Sequence, residues 1–386
     1  MTVFYFTNLS FPDGAMASGN RVVHLARCLI GKGVKVVVFS PFADSGCAGR
    51  FENGGIEFRA CCNGHKSGIR SQLMSSFLYP LRAYWQMRKL RDDETVIYSY
   101  TGNLVHEIWA CLFSKWLKLP ICREGCEFPY TILSHAPKSM QWLETKFCMR
   151  FYAGVIAITK ELENYYRKVT RPGCRVLRIP MTVDCDRFNG DFTSPFDFEY
   201  IAYTGAMNRK GGGVDVLVRA FGILAEKHPS LHLVLIGKGS DKLRSDLLAM
   251  VLGDVRGRIH CLFTGAIPTD EMPCYIKNAK VLAMLPLPTV QQEGCFPTKL
   301  GEYLSSGVPA VVSKVGIPAR LLADREQVYF VPPDDSETTA SVVDEIIANY
   351  EQAKEVAVCG RALARGSFHY AQFADTLYGW YREILG

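Results

Sequence analysis

The chain alternates strand-like and helix-like segments, and this alternation limits the fold more than any other feature of the sequence. Apolar runs at residues 3–6 and 34–39 enclose a segment, 21–30, whose apolar residues have helical spacing. A strand–helix–strand unit places two parallel strands in one sheet through a right-handed crossover. Later apolar runs at 96–98 and 154–158 predict further strands of the same sheet.

The same alternation begins again in the second half of the chain, at Tyr200. The polar run at 189–195 precedes it and has the composition of a linker. The sequence therefore predicts an α/β protein with two doubly wound, Rossmann-like domains that divide between residues 190 and 191. Because ligands of such sheets bind beyond the carboxyl ends of strands, where the strand order reverses, we expect a site in a cleft between the domains.

Charge is distributed unevenly between the two halves, although the net charge is only +6. Residues 1–190 carry 25 Lys and Arg against 15 Asp and Glu, whereas residues 191–386 carry 19 against 23. A basic first half indicates either an anionic partner or an ordinary solvated surface.

The location of the protein is predicted from its cysteines and apolar runs. The 14 cysteines include no Cys-x-x-Cys pair, which favours reduced thiols in a cytoplasmic protein. The first residues lack the pattern of a signal peptide. No apolar run approaches the roughly 18 residues of a membrane-spanning helix, so any contact with the inner face of a membrane is expected to be peripheral.

The segment Phe-Pro-Thr-Lys-Leu-Gly-Glu-Tyr-Leu-Ser-Ser-Gly, residues 296–307, carries the strongest functional signal. Thr298 is a good N-cap and Gly307 a good C-terminal stop, so the segment predicts a short helix. A helix N-terminus suits a phosphate group, and Lys299 adds a cation there. Glu302, about one turn further on, suits the two hydroxyls of a ribose as a hydrogen-bond acceptor. The alternative is an ordinary capped helix with a solvated Lys–Glu surface.

The order of motifs around this segment resembles family 4 of the retaining GT-B glycosyltransferases. Residues 297–309 match that family's Pro-Thr-Lys-x-x-Glu-Tyr-x-x-x-Gly-x-Pro stretch. Residues 203–211, 233–239 and 263–268 resemble its phosphate loop, its next glycine turn and the loop that holds the base. Residues 179–188 resemble the stretch that closes its N-terminal domain.

The resemblance implies a GT-B fold and a role for each domain. Residues 1–190, joined by a last helix at 368–386, would bind the acceptor, and residues 191–367 would bind the nucleotide sugar. The donor-binding residues implied by the matching motifs are Gly205, Arg209, Lys210, Ile267, Thr298, Lys299 and Glu302.

Two departures from the family's pattern concern catalysis. The arginine that usually follows the first glycine is replaced by Ala206, and Arg209 either takes over its role or is a solvated basic residue. The family's two glutamates are separated by seven residues, whereas eight lie between Glu293 and Glu302. Glu293 either faces the transferred sugar or is an exposed loop residue. Lys210 matches the family's lysine directly and is expected to stabilise the departing diphosphate.

Two loops of the first domain also resemble parts of the family's site. A glycine loop before the first helix would approach the acceptor or the diphosphate, and its candidate residues are Gly14, Gly19, Asn20 and Arg21. Asn20 is equally suited as a helix cap, and Arg21 as a solvated side chain. Glu127, with Glu124 as the alternative, would orient or deprotonate the acceptor hydroxyl.

Residues 79–91 mix aromatic and basic side chains. They indicate either an interfacial helix on anionic lipid or a domain helix whose basic side chains extend along apolar surface. The Asp-x-Asp sequence at 184–186 has the form of a metal site, but its context fits the domain-closing turn, so no metal is expected. Because the net charge is mild and no reading motif is present, no nucleic-acid partner is expected.

The sequence therefore predicts a cytoplasmic, metal-independent, retaining glycosyltransferase of the hexosyltransferase type. Its donor would be a nucleotide diphosphate sugar, with no cofactor, and its acceptor a glycan or a lipid-linked molecule in polysaccharide or glycolipid assembly. Two alternatives remain open: a nucleotide-sugar isomerase (epimerase) of the same fold, which would turn over the donor alone, and a non-catalytic nucleotide-sugar-binding protein.

Overall fold

The structure is a computed structural model, and it describes residues 1–11, 17–64, 68–129, 137–207, 212–252, 260–289 and 297–386. Its contacts divide the chain into two compact units. Unit 1 contains Met1–Thr182 and Tyr370–Gly386, and the rest of the described chain, from Val183 to His369, forms unit 2.

Strands and helices alternate through both units. The strands are β1 (Thr2–Thr7), β2 (Lys35–Ser40), β3 (Gly49–Asn53), β4 (Ile56–Ala60), β5 (Thr95–Tyr100), β6 (Ile121–Gly125), β7 (Tyr152–Ala157), β8 (Arg175–Arg178), β9 (Tyr200–Thr204), β10 (His232–Ile236), β11 (His260–Gly265), β12 (Val281–Met284), β13 (Ala310–Ser313) and β14 (Tyr329–Val331). The helices of unit 1 are α1 (Ala17–Ile30), α2 (Gly68–Leu73), α3 (Tyr79–Leu90), α4 (Leu104–Leu117), α5 (Lys138–Trp142), α6 (Lys160–Val169) and, at the C-terminus, α14 (Ala374–Leu385). Those of unit 2 are α7 (Val214–Lys227), α8 (Asp241–Leu252), α9 (Met272–Lys277), α10 (Thr298–Ser306), α11 (Pro318–Leu321), α12 (Ser336–Ala348) and α13 (Tyr350–Ser367).

Unit 1 is built on an eight-stranded sheet in the order β3-β4-β2-β1-β5-β6-β7-β8. Its strands pair in parallel, except that β3 and β4 pair antiparallel. The central strands are apolar on both faces, as expected for a sheet covered by helices on both sides. The strand order reverses between β1 and β5, since β2 lies on one side of β1 and β5 on the other.

Unit 2 is built on a six-stranded sheet in the order β11-β10-β9-β12-β13-β14, with every pair parallel. Numbered within the unit this is 3-2-1-4-5-6, the strand order of a dinucleotide-binding Rossmann domain. The order reverses between β9 and β12, so the carboxyl ends of these two strands form the place where such a sheet binds its ligands.

The units meet along the chain at different residues from the predicted domain limits of 190 and 191. The first unit ends at Thr182, because the Val183 N–H already donates to the Phe368 carbonyl of unit 2, at 2.9 Å. The C-terminal helix α14 belongs to unit 1, where Leu377 and Tyr381 are fully buried among residues of β1 and α1. Within the described residues, no helix is both long enough and apolar enough to cross a membrane.

Candidate functional site

Three neighbouring strands of unit 2 end in glycines that hold their loops close together. Gly205, Gly237 and Gly265 follow or end β9, β10 and β11, and their φ angles are 111°, 140° and 74°. The Gly205 N–H donates to the Ile236 carbonyl, and the Gly237 N–H to the Gly265 carbonyl, both at 2.8 Å. A Cβ atom on Gly237 would lie 2.0 Å from the Gly205 carbonyl oxygen. Only glycine therefore fits at Gly237.

The predicted helix after residue 296 is present as α10, which begins at Thr298. Its N-cap is Pro297 rather than Thr298, which corrects the predicted cap, and no side chain of the described residues caps this end. Thr298 is the first helical residue and is exposed. The helix ends as predicted at Gly307, which takes the left-handed conformation with φ 72°. An N-terminus without a side-chain cap offers N–H donors and a positive dipole end to an anion.

Tyr303 fixes α10 at the point where the strand order reverses. Its hydroxyl accepts a 2.8 Å hydrogen bond from the Thr204 N–H at the end of β9. It lies 3.4 Å from the Ala283 carbonyl of β12, to which it donates. Tyr303 is fully buried, so this link is shielded from water. It ties the helix to both strands of the switch point.

Lys299 lies against the first strand of the sheet and the Gly205 turn. Its Nζ donates to the Tyr203 hydroxyl at 3.0 Å and lies 4.2 Å from the centre of the Tyr203 ring. A Cβ on Gly205 would come within 3.2 Å of the same Nζ. Burial lowers the pKa of Lys299 from 10.5 to about 8, and the Glu302 carboxylate opposes this shift. The ammonium group is therefore only partly hydrated and lacks a close carboxylate partner among the described residues, which suits it to a phosphate.

Glu302 lies one turn further along α10, and its carboxylate is paired with Arg187. Its Oε1 accepts a 3.3 Å hydrogen bond from Arg187, and its side chain is 21% exposed. Burial raises the pKa of the Glu302 carboxyl, while Arg187 and Lys299 oppose the rise. Arg187 also donates to the Thr269 carbonyl in the loop after β11. That loop contains Ile267, which is half-buried and is predicted to lie near the base of the donor.

Four of the predicted site residues lie outside the described residues. These are Gly14, Arg209, Lys210 and Glu293. Their roles stay predictions from the resemblance. Ala206, which replaces the family's arginine, is described and exposed.

Arg21 in unit 1 is buried, so it is not the solvated side chain that the sequence offered as an alternative, and its contact with acceptor or phosphate stays a prediction. It is 6% exposed. Its guanidinium donates twice to Glu124 Oε1, at 3.1 and 3.3 Å, and to the carbonyls of Pro180 and Ile179 and the hydroxyl of Thr182. A guanidinium has five N–H donors, and these five hydrogen bonds use all of them.

Glu124, the alternative to Glu127, is committed to the same network. Its Oε1 accepts from Arg21 and its Oε2 from the Tyr98 hydroxyl. Its side chain is 2% exposed. Glu127 follows β6 and is half-buried. The structure therefore places Glu124 in a buried ion pair, and the roles of Glu127 and Glu124 toward an acceptor stay predictions.

The N-terminal end of α1 also differs from its predicted form. The helix begins at Ala17, so Asn20 lies inside the first turn and is not the helix cap. Gly19 is buried in the same turn. The sequence predicted a loop as far as Arg21, whereas the helix start at Ala17 places Arg21 inside α1, where it contacts Glu124 of β6.

The Asp-x-Asp sequence that was predicted not to bind metal comes together with a histidine. Oxygen and nitrogen atoms of Asp184, Asp186 and His369 lie within 4.8 Å of one another. The His369 Nδ1 accepts a 3.3 Å hydrogen bond from the Cys185 N–H, so its proton is on Nε2 and faces Asp186. Asp186 also accepts a hydrogen bond from Arg365 at 3.2 Å. Asp184 and Asp186 therefore lie in a turn in which Asp186 is paired with Arg365.

Sequence reasoning missed three side chains that build the unit 2 site. Tyr203 lies on β9 facing Lys299, Tyr303 anchors α10, and Arg187 holds Glu302. In the sequence, Tyr203 and Tyr303 have the pattern of core residues of a strand and a helix. Arg187 is more than 100 residues from Glu302 in sequence, so only the fold brings it to the site.

Part of the chain matches a known protein family and a characterised relative. Residues 199–349 match the family model described as glycosyl transferases group 1. A GDP-mannose-dependent alpha-(1-6)-phosphatidylinositol monomannoside mannosyltransferase of Mycolicibacterium smegmatis is 25% identical over 243 residues, which is 58% of this chain. The match spans 62% of that protein, less than two thirds of its length.

Solved structures resemble the chain over its whole length. Sucrose-phosphate synthase from Thermosynechococcus elongatus has a TM-score of 0.76 at 17% identity, covering 100% of this chain and 99% of that one. HepE of Anabaena, in complex with UDP-glucose, has a TM-score of 0.70 at 15% identity, covering 98% and 99%.

The fold is therefore the GT-B fold of glycosyltransferases, with two Rossmann-like units. The predicted fold class and the resemblance to GT-B glycosyltransferases are confirmed. The assignment to family 4 and the retaining mechanism stay predictions.

Proposed function

We propose that the protein is a retaining glycosyltransferase that moves a sugar from a nucleotide diphosphate sugar to an acceptor hydroxyl. One observation carries the proposal: α10 places Lys299 and Glu302 one turn apart at the switch point of unit 2. A cation and a helix N-terminus suit a diphosphate, and a carboxylate suits the paired hydroxyls of a ribose. The relatives named above, with GDP-mannose and UDP-glucose in their names, support a donor of this class.

The proposed mechanism is mainly electrostatic. Lys299 and the start of α10 would stabilise the diphosphate as it leaves, together with Lys210 and Arg209. Glu302 would hold the ribose, and the loop with Ile267 the base. Retention would follow from a front-face displacement, in which a donor phosphate oxygen takes the acceptor proton as the new glycosidic bond forms and the bond to the diphosphate breaks. Glu127 and Glu293 are proposed to orient acceptor and sugar.

The acceptor is proposed to be a glycan or a lipid-linked molecule, in polysaccharide or glycolipid assembly. The basic first half of the chain and the phosphatidylinositol mannoside in the name of the M. smegmatis relative support this choice. The proposal requires no metal and no cofactor.

An acceptor-dependence assay tests this function. The protein is incubated with GDP-mannose or UDP-glucose, with and without a phosphatidylinositol mannoside or a lipid-diphosphate-linked sugar, in the presence of EDTA. We expect release of nucleoside diphosphate to rise with acceptor, and NMR to show an α-linked product from an α-linked donor. Conversion of the donor without acceptor would favour the isomerase, and binding without turnover under all conditions the non-catalytic protein; either result contradicts the proposal.

The pKa of Lys299 predicts a pH dependence of donor affinity. Its charged form binds the diphosphate, and a pKa of about 8 means that this form is lost as the pH rises through 8. Between pH 7 and pH 9 the affinity for a nucleoside diphosphate is expected to fall by up to about tenfold. A diphosphate raises the pKa of Lys299 in the complex, so the affinity is expected to fall from the pKa of the free protein, about 8, and to level off near the higher pKa of the complex.

Calorimetric titration at several pH values checks this expectation, with Lys299→Arg as the matched variant. Because arginine stays charged throughout this range, the variant should show a flatter profile. The corresponding nucleoside, which lacks phosphates, serves as the ligand control. Equal pH dependence in the wild type and Lys299→Arg would show that Lys299 does not carry the effect.

A further inference from the structure

Unit 1 carries an exposed apolar stripe along one continuous helical segment. This segment runs from Gly68 through α2, a π-helical part at Met74–Leu78, and α3 to Leu90. Five large apolar side chains on it are between 46% and 78% exposed and follow one another at intervals of four residues: Ile69, Leu73, Phe77, Leu81 and Trp85. Large exposed apolar patches on a folded domain mark interaction surfaces.

The opposite face of the same segment is already packed into unit 1. Tyr79, Ala83 and Met87 are fully buried and again lie four residues apart. They are offset by two positions from the exposed stripe, which corresponds to the opposite side of a helix. The helix is therefore apolar on two faces, whereas a surface helix of a globular protein normally has one. Packing within unit 1 explains the inner face and leaves the outer one unexplained.

The π-helical part keeps the exposed residues in line. In an α-helix of 3.6 residues per turn, residues four apart drift steadily around the axis. A π-helix has i→i+5 hydrogen bonds and a wider turn, which counteracts this drift. The wider turn at Met74–Leu78 thus joins Ile69 and Leu73 to the apolar side chains of α3.

Trp116 of the neighbouring helix α4 extends the stripe. The ring of Tyr84 lies 5.7 Å from that of Trp85 and 5.6 Å from that of Trp116, between ring centres. Trp116 is 50% exposed. Tryptophan and tyrosine are the side chains enriched where a protein meets the interface of a bilayer.

The charged residues of the segment that carries the stripe have a single sign. Residues 61–91 contain no aspartate or glutamate. Arg70, Arg82, Arg88, Lys89 and Arg91 are all exposed. The guanidinium of Arg88 lies 5.3 Å from the centre of the Trp85 ring. A stripe with apolar and aromatic side chains and a basic border matches an anionic lipid surface.

We propose that this stripe, Ile69, Leu73, Phe77, Leu81 and Trp85 with Trp116, binds the surface of an anionic membrane. The stripe begins ten residues before the segment 79–91, for which the sequence indicated membrane contact as one alternative. It also includes Trp116 of a neighbouring helix, α4. Charge argues against a second copy as the occupant, because a symmetric dimer through the stripe would bring basic residues against basic residues. The proposal deepens the proposed function, since it supplies the surface from which a lipid-linked acceptor would be reached.

Vesicle flotation with the full chain tests the proposal. Vesicles of phosphatidylcholine alone are compared with vesicles that also contain phosphatidylglycerol. We expect binding to the anionic vesicles, a blue shift of tryptophan fluorescence, and a loss of binding at high salt. Phe77→Ser with Trp85→Ser should reduce binding at least tenfold, and so should Arg88→Glu with Lys89→Glu. Val358→Ser is the matched control, because Val358 is an exposed apolar residue, 62% exposed, on α13 of unit 2.

Three outcomes would overturn the proposal. The first is equal binding to neutral and anionic vesicles, or no binding. The second is unchanged binding in the stripe variants. The third is a wild-type dimer, by light scattering, that becomes monomeric in Phe77→Ser with Trp85→Ser. Nucleotide affinity, measured on the same variants without vesicles, separates this proposal from the proposed function: the stripe variants should retain it, and its absence in the wild type would refute the proposed function alone.

Discussion

Replacing Glu302 with alanine is expected to reduce affinity for the nucleotide diphosphate donor by about 100-fold or more. The carboxylate would accept hydrogen bonds from two ribose hydroxyls, and a hydrogen bond to a charged group contributes about 1.5–3 kcal/mol. The substitution also leaves Arg187 without its acceptor at 3.3 Å. Because Tyr303 holds the helix in place through Thr204 and Ala283, the fold of unit 2 should be retained.

Isothermal titration with the wild type and two matched variants checks this result. Glu302→Gln keeps the size and a neutral acceptor, so it should fall between wild type and Glu302→Ala. Glu355→Ala removes an exposed glutamate from α13 and should bind like the wild type. Unchanged nucleotide affinity in a folded Glu302→Ala protein would refute the role of this carboxylate, and with it the assignment of the donor site.

Breaking the ion pair between Arg21 and Glu124 is expected to destabilise unit 1 by about 3–5 kcal/mol. Both partners are buried and linked at 3.1 Å, so Glu124→Ala or Arg21→Ala leaves a buried charge without its counter-charge. For a unit of this size the loss corresponds to a fall in unfolding temperature on the order of 10 °C. The double variant Arg21→Met with Glu124→Leu removes both charges and should be more stable than either single variant.

Tryptophan fluorescence reports this effect from unit 1 alone. The protein has 5 tryptophans, at positions 85, 109, 116, 142 and 380, all of which lie in unit 1. Urea unfolding followed by this signal should shift to lower urea for both single variants. If Glu124→Ala kept wild-type stability and lost only turnover, Glu124 would be a catalytic residue and the structural assignment would be wrong.

The two-unit fold could be predicted because its signal is local and repeated. The buried parallel strands β1, β2, β5 and β7 appear in the sequence as apolar runs separated by helical patterns. The antiparallel pair of β3 and β4 was missed. The exposed edge strand β3 has mostly polar, exposed residues, which give no apolar pattern to detect.

The donor-site helix was predictable for a related reason. Its proline, its glycine and the charged residues between them lie within one short segment, so its limits follow from local chemistry. The cap was assigned to the wrong residue, because threonine is a frequent N-cap but the helix begins one residue earlier in the chain than that assignment requires.

Partners distant in sequence could not be predicted. Arg21 lies inside α1 and Arg187 in the short turn Cys185–Phe188, and nothing close to either residue in the sequence predicts its partner. The fold buries Arg21 against Glu124, 103 residues away, and brings Arg187 to Glu302. Arg21 is therefore part of a buried ion pair in unit 1, whereas Arg187 is part of the candidate site in unit 2. The exposure of the apolar stripe could not be predicted either, because the sequence does not show which apolar face of α3 packs into unit 1.

A thermal-unfolding screen with nucleoside diphosphates tests the central claim most directly. Wild type and Glu302→Ala are heated with UDP, GDP, ADP, dTDP or CMP, and with several of their sugars. Because unit 2 lacks tryptophan, its unfolding is followed by calorimetry instead of fluorescence. A ligand at about 100 times its Kd stabilises the state that binds it by about 2.7 kcal/mol, or several degrees. We expect one base to raise the unfolding temperature of the wild type and not of Glu302→Ala. No shift with any nucleotide at millimolar concentration would contradict a donor site at α10.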